Sequence, residues 1–212
     1  MPTDNAVSPT DDVTPIISFS GERVAMGPLH AGLIPLIARW ENDIDSLIVG
    51  GDELIVQTPE RLTAIFKKIV EEERRDRVFF AIYDRMTLQP IGWCNVRDID
   101  LFHETAELGI SIALPEFRGK GFGTEAVTLL VDYAFTAFGL RNIMLDTVAF
   151  NERALASYRK VGFREIGRRR GSHRIGNRRY DQVFMDCLAR EFYEGRTSRF
   201  ALPEQGLAET SE

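Results

Sequence analysis

The stretch with the clearest chemical potential is a glycine-rich run at residues 118–124, Arg-Gly-Lys-Gly-Phe-Gly-Thr. Its three glycines let the backbone come close to a ligand, and Arg118 and Lys120 add positive charge at the same place. A strand-like segment precedes the run and a helical pattern follows it. Free N–H groups at the start of that helix would attract an anion, so the run predicts a phosphate or pyrophosphate site.

Three phosphate-binding patterns can be compared with this run. A P-loop needs Ser or Thr directly after its lysine, and glycine follows Lys120, which excludes that motif. A dinucleotide fingerprint needs a third glycine where Thr124 stands, and the acid of the next strand, Asp146, lies in mid-strand instead of at its end. That fit is weak. The pattern Arg-x-x-Gly-x-Gly is met in full by Arg118, Gly121 and Gly123.

A second motif follows about thirty residues later, Asn151-x-x-Ala154-x-x-x-Tyr158-x-Lys160-x-Gly162-Phe163. Together with the preceding run E-L-G-I-S-I-x-L-P-x-F-R-G-K-G-F-G-T-E-A, it makes residues 20–190 resemble the GCN5-related N-acetyltransferase (GNAT) superfamily. Within that superfamily the chain is most similar to the ribosomal-protein N-terminal acetyltransferases and the spermidine acetyltransferases. The features shared with this branch are AELGISIAL, RGKGFGTEA and a terminal hairpin ending in GNRRYDQVFM.

The resemblance implies an α/β (α+β) fold with one GNAT-like domain. Its mixed central sheet would have about seven strands, a splayed central pair and helices on both faces. Acetyl-CoA would be the co-substrate, without a metal. The pantetheine arm would lie between strands 107–114 and 143–149, and the pyrophosphate on the N–H groups of residues 119–124. The expected cofactor-binding residues are Ile112, Ala113, Leu114, Arg118, Gly119, Lys120, Gly121, Phe122, Gly123, Thr124 and Asn151.

The same resemblance implies two catalytic residues. Tyr158 would protonate the departing CoA thiolate. Glu107 would remove the proton of the acceptor amine, directly or through water, with Glu104 and His103 as alternatives. Structural roles compete with these: Tyr158 shares a helix face with apolar neighbours, Glu107 fits a solvated strand, and Asn151 fits a helix cap.

Residues 40–60 contain six acids and no Lys or Arg. Since the acceptor pocket of the family lies beside this stretch, a negatively charged wall could attract a cationic amine, such as a polyamine, an aminoglycoside or a protein N-terminus. Trp40 could stack on the cation. The expected acceptor-binding residues are Trp40, Glu41, Asp43 and Glu104. The alternative is a solvated loop with Trp40 in the core.

Charge and composition set the broad class. The chain has 212 residues, 44% of them hydrophobic, and a net charge of −6, which fits one globular domain without general nucleic-acid binding. No apolar run is long enough for a membrane span, and the start is polar and acidic, so a cytoplasmic location is expected. Two distant cysteines and three isolated histidines predict neither a disulfide framework nor a metal site.

The charge is unevenly distributed. Residues 164–179 hold seven arginines and one glutamate, a local charge of +6, so the rest of the chain carries −12. This arginine hairpin could bind the 3′-phosphate of CoA, an anionic partner such as ribosomal RNA, or a second subunit, or it could be a solvated face. Dimerisation is common in the family, which leaves a homodimer open.

The elements that position these motifs follow from hydrophobic periodicity. The predicted order is a strand, two helices, three strands, a helix, a strand, a helix and two strands. Residues 1–15 are expected to be a disordered leader, 16–195 the acetyltransferase domain, and 196–212 a flexible tail. A non-catalytic acyl-CoA-binding module with the same fold is the alternative function.

Overall fold

The computed structural model describes residues 14–50, 54–72 and 74–200. Its strands are β1 Phe19–Ser20, β2 Val24–Pro28, β3 Val78–Asp84, β4 Pro90–Asp100, β5 Thr105–Ile112, β6 Asn142–Val148, β7 Arg164–Ile175 and β8 Arg178–Leu188. They form one sheet in the order β1-β2-β3-β4-β5-β6-β8-β7. Every neighbouring pair is antiparallel except β5 and β6, so the mixed sheet expected from the sequence is confirmed.

The helices are α1 Ile34–Trp40, α2 Ile44–Gly50, α3 Pro59–Glu71, α4 Phe122–Phe138, α5 Glu152–Val161 and α6 Ala189–Phe192. Short 3-10 turns at Ala31–Leu33 and Pro115–Phe117 precede α1 and α4. Thr58 caps α3 and Pro59 occupies its first turn. No helix in the described ranges is both long and apolar enough to cross a membrane.

The two faces of the sheet carry separate cores. Successive residues of β2 show the division: Val24 and Met26 pack with α4, α5 and α6, whereas Ala25 packs with α1 and α3. This is the alternation that a strand imposes on its side chains. The helices therefore lie on both faces, as predicted, and each site residue on a strand belongs to one face or the other.

The central parallel pair separates early. β5 and β6 pair at three positions, with Thr105, Ala106 and Glu107 opposite Asn142, Ile143 and Met144. β4 stays paired with β5 up to Ile112, and β8 stays paired with β6 up to Val148. A V-shaped gap thus opens beyond Glu107 between two strands that are each held on their outer side. The splayed pair implied by the family resemblance is present.

The sheet and the terminal hairpin are larger than predicted. The eighth strand is the two-residue β1, too short for a periodic signal. The sequence predicts that the first strand of the hairpin spans residues 163–170, but β7 continues to Ile175, because it stays paired with β8 through two register shifts. Its outward side chains are mostly arginines, so no apolar alternation marked the extension.

The segment predicted as a single acidic stretch after Trp40 contains α2. Asp43 precedes this helix and accepts hydrogen bonds from both the backbone N and Oγ of Ser46, at 2.9 and 2.5 Å. That local capping starts a helix in a sequence whose β-branched residues disfavour one.

The start of the predicted tail is packed against the domain. Asp132, buried in α4, accepts hydrogen bonds from Tyr193 Oη and from the backbone N of Arg199, both at 2.9 Å. Phe200 packs edge-on against Phe19 and Tyr133. Residues 199 and 200 of the predicted tail thus contact the domain, and the boundary after residue 195 stays a prediction. Residues 1–13 of the predicted leader and 201–212 of the predicted tail lie outside the described residues.

Candidate active site

A cleft of about 630 Å³ occupies the gap between β5 and β6. It passes through the sheet: Ile110 lines it on the α4 side, and Gly109 and Ser111 line it on the α1 and α3 side. Helices α1, α2 and α5 and the glycine turn complete its walls. The strand edges around the gap carry backbone groups that do not pair across it, and an amide-bearing chain could pair with them.

The glycine turn lies at one end of this cleft. Gly119 and Gly121 have φ of 73° and 90°, in the left-handed region that favours glycine. Gly121 is the N-cap of the 17-residue α4, and no side chain caps the first turn. The N–H groups of that turn are thus available to an anion, and the helix dipole favours one there. The turn fits the pyrophosphate that the sequence motif predicts.

The side chain of Arg118 is directed away from the turn. Its Nε donates to the carbonyl of Ile112 at 2.7 Å, and its Nη2 donates to the carbonyl of Ala113 at 2.6 Å and to Ser46 Oγ at 2.8 Å. Burial lowers the pKa of this guanidinium. Arg118 therefore stabilises the end of β5 and connects it to α2 by hydrogen bonds. The sequence motif had predicted that its charge would contact the pyrophosphate.

Asn151 links α2 to α5 in a similar way. Its Oδ1 accepts from the backbone N of Ala154 at 3.1 Å, which caps α5, and its Nδ2 donates to the carbonyl of Val49 at 3.0 Å. The alternative reading as a helix cap is thus observed. The bonds from Arg118 and Asn151 together hold α2 across the mouth of the cleft.

The other residues expected to hold the cofactor divide into two groups. Those that line the cleft are Ile112, Gly119, Gly121, Gly123 and Thr124. Ala113 and Leu114 donate their backbone N–H groups to the carbonyl of Ile91, so these two donors are already used within the sheet. Phe122 packs edge-on against Phe117, and Lys120 is exposed beside the turn.

Tyr158 lines the cleft from α5, on the α4 side of the sheet. Its side chain is 9% exposed and packs against Phe163. Burial, and secondarily the nearby carboxylate of Asp146, raises the pKa of Tyr158 to about 12. The phenol therefore stays protonated near neutral pH and can donate a hydrogen bond into the cleft. Its position matches the role that the family resemblance implies.

Glu107 is the last residue of β5 that pairs with β6, and it is not among the residues lining the cleft. Its Oε2 forms an ion pair with Arg97 Nη2 at 2.8 Å, and Arg97 does line the cleft. The two alternatives lie at the closed end of the gap: Glu104 contacts Arg141, and His103 Nδ1 lies 2.7 Å from Asp100 Oδ2. The structure does not bring these predicted bases into the cleft.

The α1 and α3 side of the cleft holds part of the expected acceptor wall. Trp40 and Glu41 line it, and Glu41 Oε1 accepts a hydrogen bond from Trp93 Nε1 at 3.0 Å. Asp43 is instead occupied in capping α2, and Glu104 is remote from the cleft lining. Asp45 and Glu60 are exposed outside the lining. Asp52 and Glu53 fall outside the described residues.

The lining residues that were not anticipated as site residues include Trp93, Asn95 and Asp146. Trp93 and Asn95 stand on β4 opposite Ser111 and Gly109, on the face away from α4. Asn95 is a polar residue between Cys94 and Val96, whose side chains are buried. This alternation is a weak sequence indication that the face carrying Asn95 contacts something other than the hydrophobic core. Asp146 was noticed only as a misplaced dinucleotide acid. Its carboxylate accepts from Gln182 Nε2 at 2.6 Å.

A second cleft, of about 680 Å³, adjoins the first and shares Gly121, Thr124 and Lys160 with it. Its cationic residues are Arg23, Arg85, Lys160 and Arg199, against the acids Glu22 and Glu125. Glu125 is occupied by the backbone N–H groups of Glu22 and Arg23. Over the described part of the chain, Arg23, Lys160 and Arg199 form no ion pair with a carboxylate.

The arginine hairpin lies at the edge of the sheet. Arg164 pairs with Glu191 at 3.2 Å and Arg168 with Glu165 at 2.5 Å, and Arg179 Nη1 donates to the carbonyl of Gly171. None of its arginines lines either cleft. Within the described ranges, no three His, Cys, Asp or Glu side chains converge as a metal site would require.

Comparison with known proteins agrees with this geometry. The family model of the acetyltransferase (GNAT) domain matches residues 24–164. The Bacillus subtilis (strain 168) protein named "Putative ribosomal N-acetyltransferase YdaF" is 32% identical over 101 residues, which are 48% of this chain and 55% of that protein. The Escherichia coli (strain K12) spermidine N(1)-acetyltransferase is 40% identical over 72 residues, 34% of this chain and 38% of that protein.

The chain thus spans about half or less of the length of these two relatives. Among solved structures, the spermidine N-acetyltransferase from Vibrio cholerae in complex with CoA and spermine has a TM-score of 0.73 at 24% identity. That match covers 81% of this chain and 99% of the other chain, and it shows a common fold.

Proposed function

The chain belongs to the GNAT acetyltransferase family, and we propose that it transfers the acetyl group of acetyl-CoA directly to a primary amine. The observation that carries this proposal is one continuous cleft. It begins at an uncapped helix N-terminus with two left-handed glycines and runs through a gap in the sheet to a buried tyrosine. Phosphate, pantetheine and thioester require these three environments in this order.

The residues present fit the co-substrate. The N–H groups of the glycine turn donate hydrogen bonds to the pyrophosphate, and Arg153 of α5 adds positive charge to the same cleft. The unpaired edge of β5 between Leu108 and Ile112 faces the arm that would lie in the gap. Acetyl-CoA supplies an acyl group activated as a thioester, and its reactive end would lie toward the vertex of the gap near Glu107.

In the transfer, the amine nitrogen forms a bond to the carbonyl carbon and the bond from that carbon to sulfur breaks. The amine loses a proton and the thiolate gains one. Tyr158 donates a proton to the sulfur, from the α4 side of the sheet. In place of Glu107, a carboxylate that lines the cleft, Glu41 or Asp146, takes the proton of the amine directly or through water.

The acceptor enters from the α1 and α3 side. There the cleft presents the carboxylates of Glu41 and Asp146 and the ring of Trp40, while the charge of Arg97 is compensated by Glu107. A cationic amine is favoured by this surface. We propose a polyamine-like small molecule or a protein N-terminus as the acceptor, and the similarity to a spermidine N(1)-acetyltransferase supports the first.

The proposal is tested by measuring thiol release from acetyl-CoA with a panel of polyamines, aminoglycosides and short peptides with free N-termini. Mass spectrometry of each acceptor reports a gain of one acetyl group. Release that depends on one class of amine supports the enzyme and identifies that class. Tight binding of acetyl-CoA without release for any amine would instead favour a non-catalytic acyl-CoA-binding module.

The second cleft predicts where the 3′-phosphate of CoA binds. We expect the double variant Arg23→Ala, Lys160→Ala to bind CoA about tenfold more weakly, because each charge-assisted contact contributes to phosphate affinity. Its affinity for 3′-dephospho-CoA should change by less than about twofold, since that ligand lacks the group these cations would contact. Isothermal titration calorimetry with both ligands provides the measurement.

Arg174→Ala is the matched control, because it removes a cation from the arginine hairpin without touching either cleft. It should leave the affinity for both ligands unchanged. A loss of CoA affinity in Arg174→Ala, with none in the double variant, would show that the arginine hairpin binds the 3′-phosphate instead of the second cleft.

A further inference from the structure

Asn95 has a buried oxygen without a partner. The residue is 5% exposed, and its Oδ1 accepts no hydrogen bond from any residue that the structure describes. One other buried amide oxygen shares this state, Oε1 of Gln57, and Gln57 does not line the cleft. Because an unsatisfied buried acceptor costs stability, it persists where something outside the chain satisfies it.

Asn95 lines the cleft, and the residue opposite it is a glycine, which puts no side chain against the amide. Asn95 pairs across the sheet with Gly109, and a Cβ at position 109 would stand 3.0 Å from Oδ1. Any side chain there would therefore press on the amide. Gly109 also lies two residues beyond Glu107, where β5 leaves β6. The free oxygen consequently lies near the vertex of the gap, at the end of the cleft opposite the glycine turn.

Two side-chain donors on this face already have partners. Trp93 Nε1 donates to Glu41, and the guanidinium of Arg97 is paired with Glu107 at 2.8 Å and with Asp98 at 3.8 Å. A hydrogen bond to Oδ1 can therefore come from an occupant of the cleft. The pantetheine amides also carry N–H groups, but in the proposed complex they pair with the open edge of β5, whereas the acceptor amine enters on the α1 and α3 side, where Asn95 lies.

We propose that Asn95 holds the acceptor amine, with Oδ1 accepting a hydrogen bond from its N–H and directing its lone pair toward the thioester. This inference rests on the proposed acetyl transfer and adds the residue that positions the nucleophile. The neutrality of the amide matters, because only an uncharged amine attacks. A carboxylate at this position would favour the ammonium form and raise the pKa of the bound amine.

Asn95→Leu tests the contact, since leucine keeps the approximate volume and removes the acceptor. We expect the KM for the best amine of the panel to rise at least tenfold, while the Kd for acetyl-CoA stays within twofold. The thermal midpoint should be unchanged or higher, because an unsatisfied buried oxygen is removed. Loss of activity without loss of stability separates a functional amide from a structural one.

Gln57→Leu is the matched control, because it removes the other unpartnered buried oxygen outside the cleft. Its thermal midpoint should change in the same direction, with KM and kcat unaltered. Asn95→Asp adds an independent measurement: the pH at which kcat is half-maximal should move upward, because the new charge retains the proton on the amine. An unchanged KM in Asn95→Leu, or an unmoved pH profile in Asn95→Asp, would overturn the assignment.

A binding measurement separates a failure of this inference from a failure of the proposed function. In the presence of CoA, spermidine or a short peptide with a free N-terminus should raise the thermal midpoint of the wild-type protein but not that of Asn95→Leu. If the wild-type protein transfers acetyl to no amine, the proposed function is wrong. The shift in thermal midpoint on adding the amine still shows whether Asn95 contacts it. Equal shifts in both proteins would show that Asn95 does not contact the amine.

Discussion

Replacing Tyr158 with phenylalanine is expected to lower kcat at least roughly tenfold and to leave the Kd for acetyl-CoA within about twofold of wild type. The ring of phenylalanine fits the same space beside Phe163, so the fold and the wall of the cleft are retained. Only the proton donor is lost, and the thiolate must then leave without protonation. Single-turnover kinetics with the active amine, together with calorimetric titration of acetyl-CoA, give both quantities.

The pH dependence follows from the raised pKa of Tyr158, about 12. A phenol with that pKa stays protonated throughout the ordinary working range, so its ionisation should not lower kcat below about pH 10. Tyr193→Phe is the control, because Tyr193 is also a phenol with a pKa raised by burial but contacts Asp132 away from the cleft. Full turnover in Tyr158→Phe would remove Tyr158 from the mechanism.

Replacing Gly121 with alanine is expected to weaken acetyl-CoA binding at least about tenfold, which corresponds to about 1.4 kcal/mol. At φ of 90° any L-residue is strained, and relief of that strain would turn the N–H groups of the first turn away from the pyrophosphate. Titration calorimetry with acetyl-CoA measures the loss.

Gly139→Ala separates strain from binding. Gly139 ends the same helix at φ of 65°, and a Cβ there would meet nothing within 4 Å. Both variants should lose about 1–2 kcal/mol of unfolding free energy, the cost of the left-handed conformation for an L-residue. Only Gly121→Ala should also lose affinity. Equal affinities in the two variants would show that the turn does not hold the cofactor.

The sequence motifs predicted the glycine turn and the helix that follows it, because both depend on backbone conformation. Gly119 and Gly121 adopt the left-handed angles that their residue type suggests, and α4 begins where the motif places it. Tyr158 is in the cleft for a related reason, since helix periodicity fixes which face of α5 carries it.

Side-chain direction was beyond what the motifs could predict. Arg118 has the right position in the chain, but the unpaired carbonyls of Ile112 and Ala113 attract its guanidinium more directly than the turn does. The environment of Glu107 was likewise not predictable from the motifs. Its partner Arg97 lies ten residues away on a different strand, and only the register of β4 against β5 brings the two together.

The acceptor side was the least predictable part. Its residues come from α1, β4, β5 and β6, and no local pattern connects Trp40, Asn95 and Asp146. Of the acids between residues 40 and 60 that the structure describes, only Glu41 lines the cleft, and Asp43 caps a helix that propensity did not favour. Composition indicated a negative surface, and tertiary structure decided which carboxylates face the cleft.

The short pairing between β5 and β6 also affects how rigidly the two parts of the sheet on either side of it are connected. Strands β1 to β5 form one plate and β6 to β8 another, and within the sheet three residue pairs form the seam between them. A ligand bridging the open part of that seam adds links between the two plates. Occupancy would therefore stiffen the domain along the path by which the co-substrate enters.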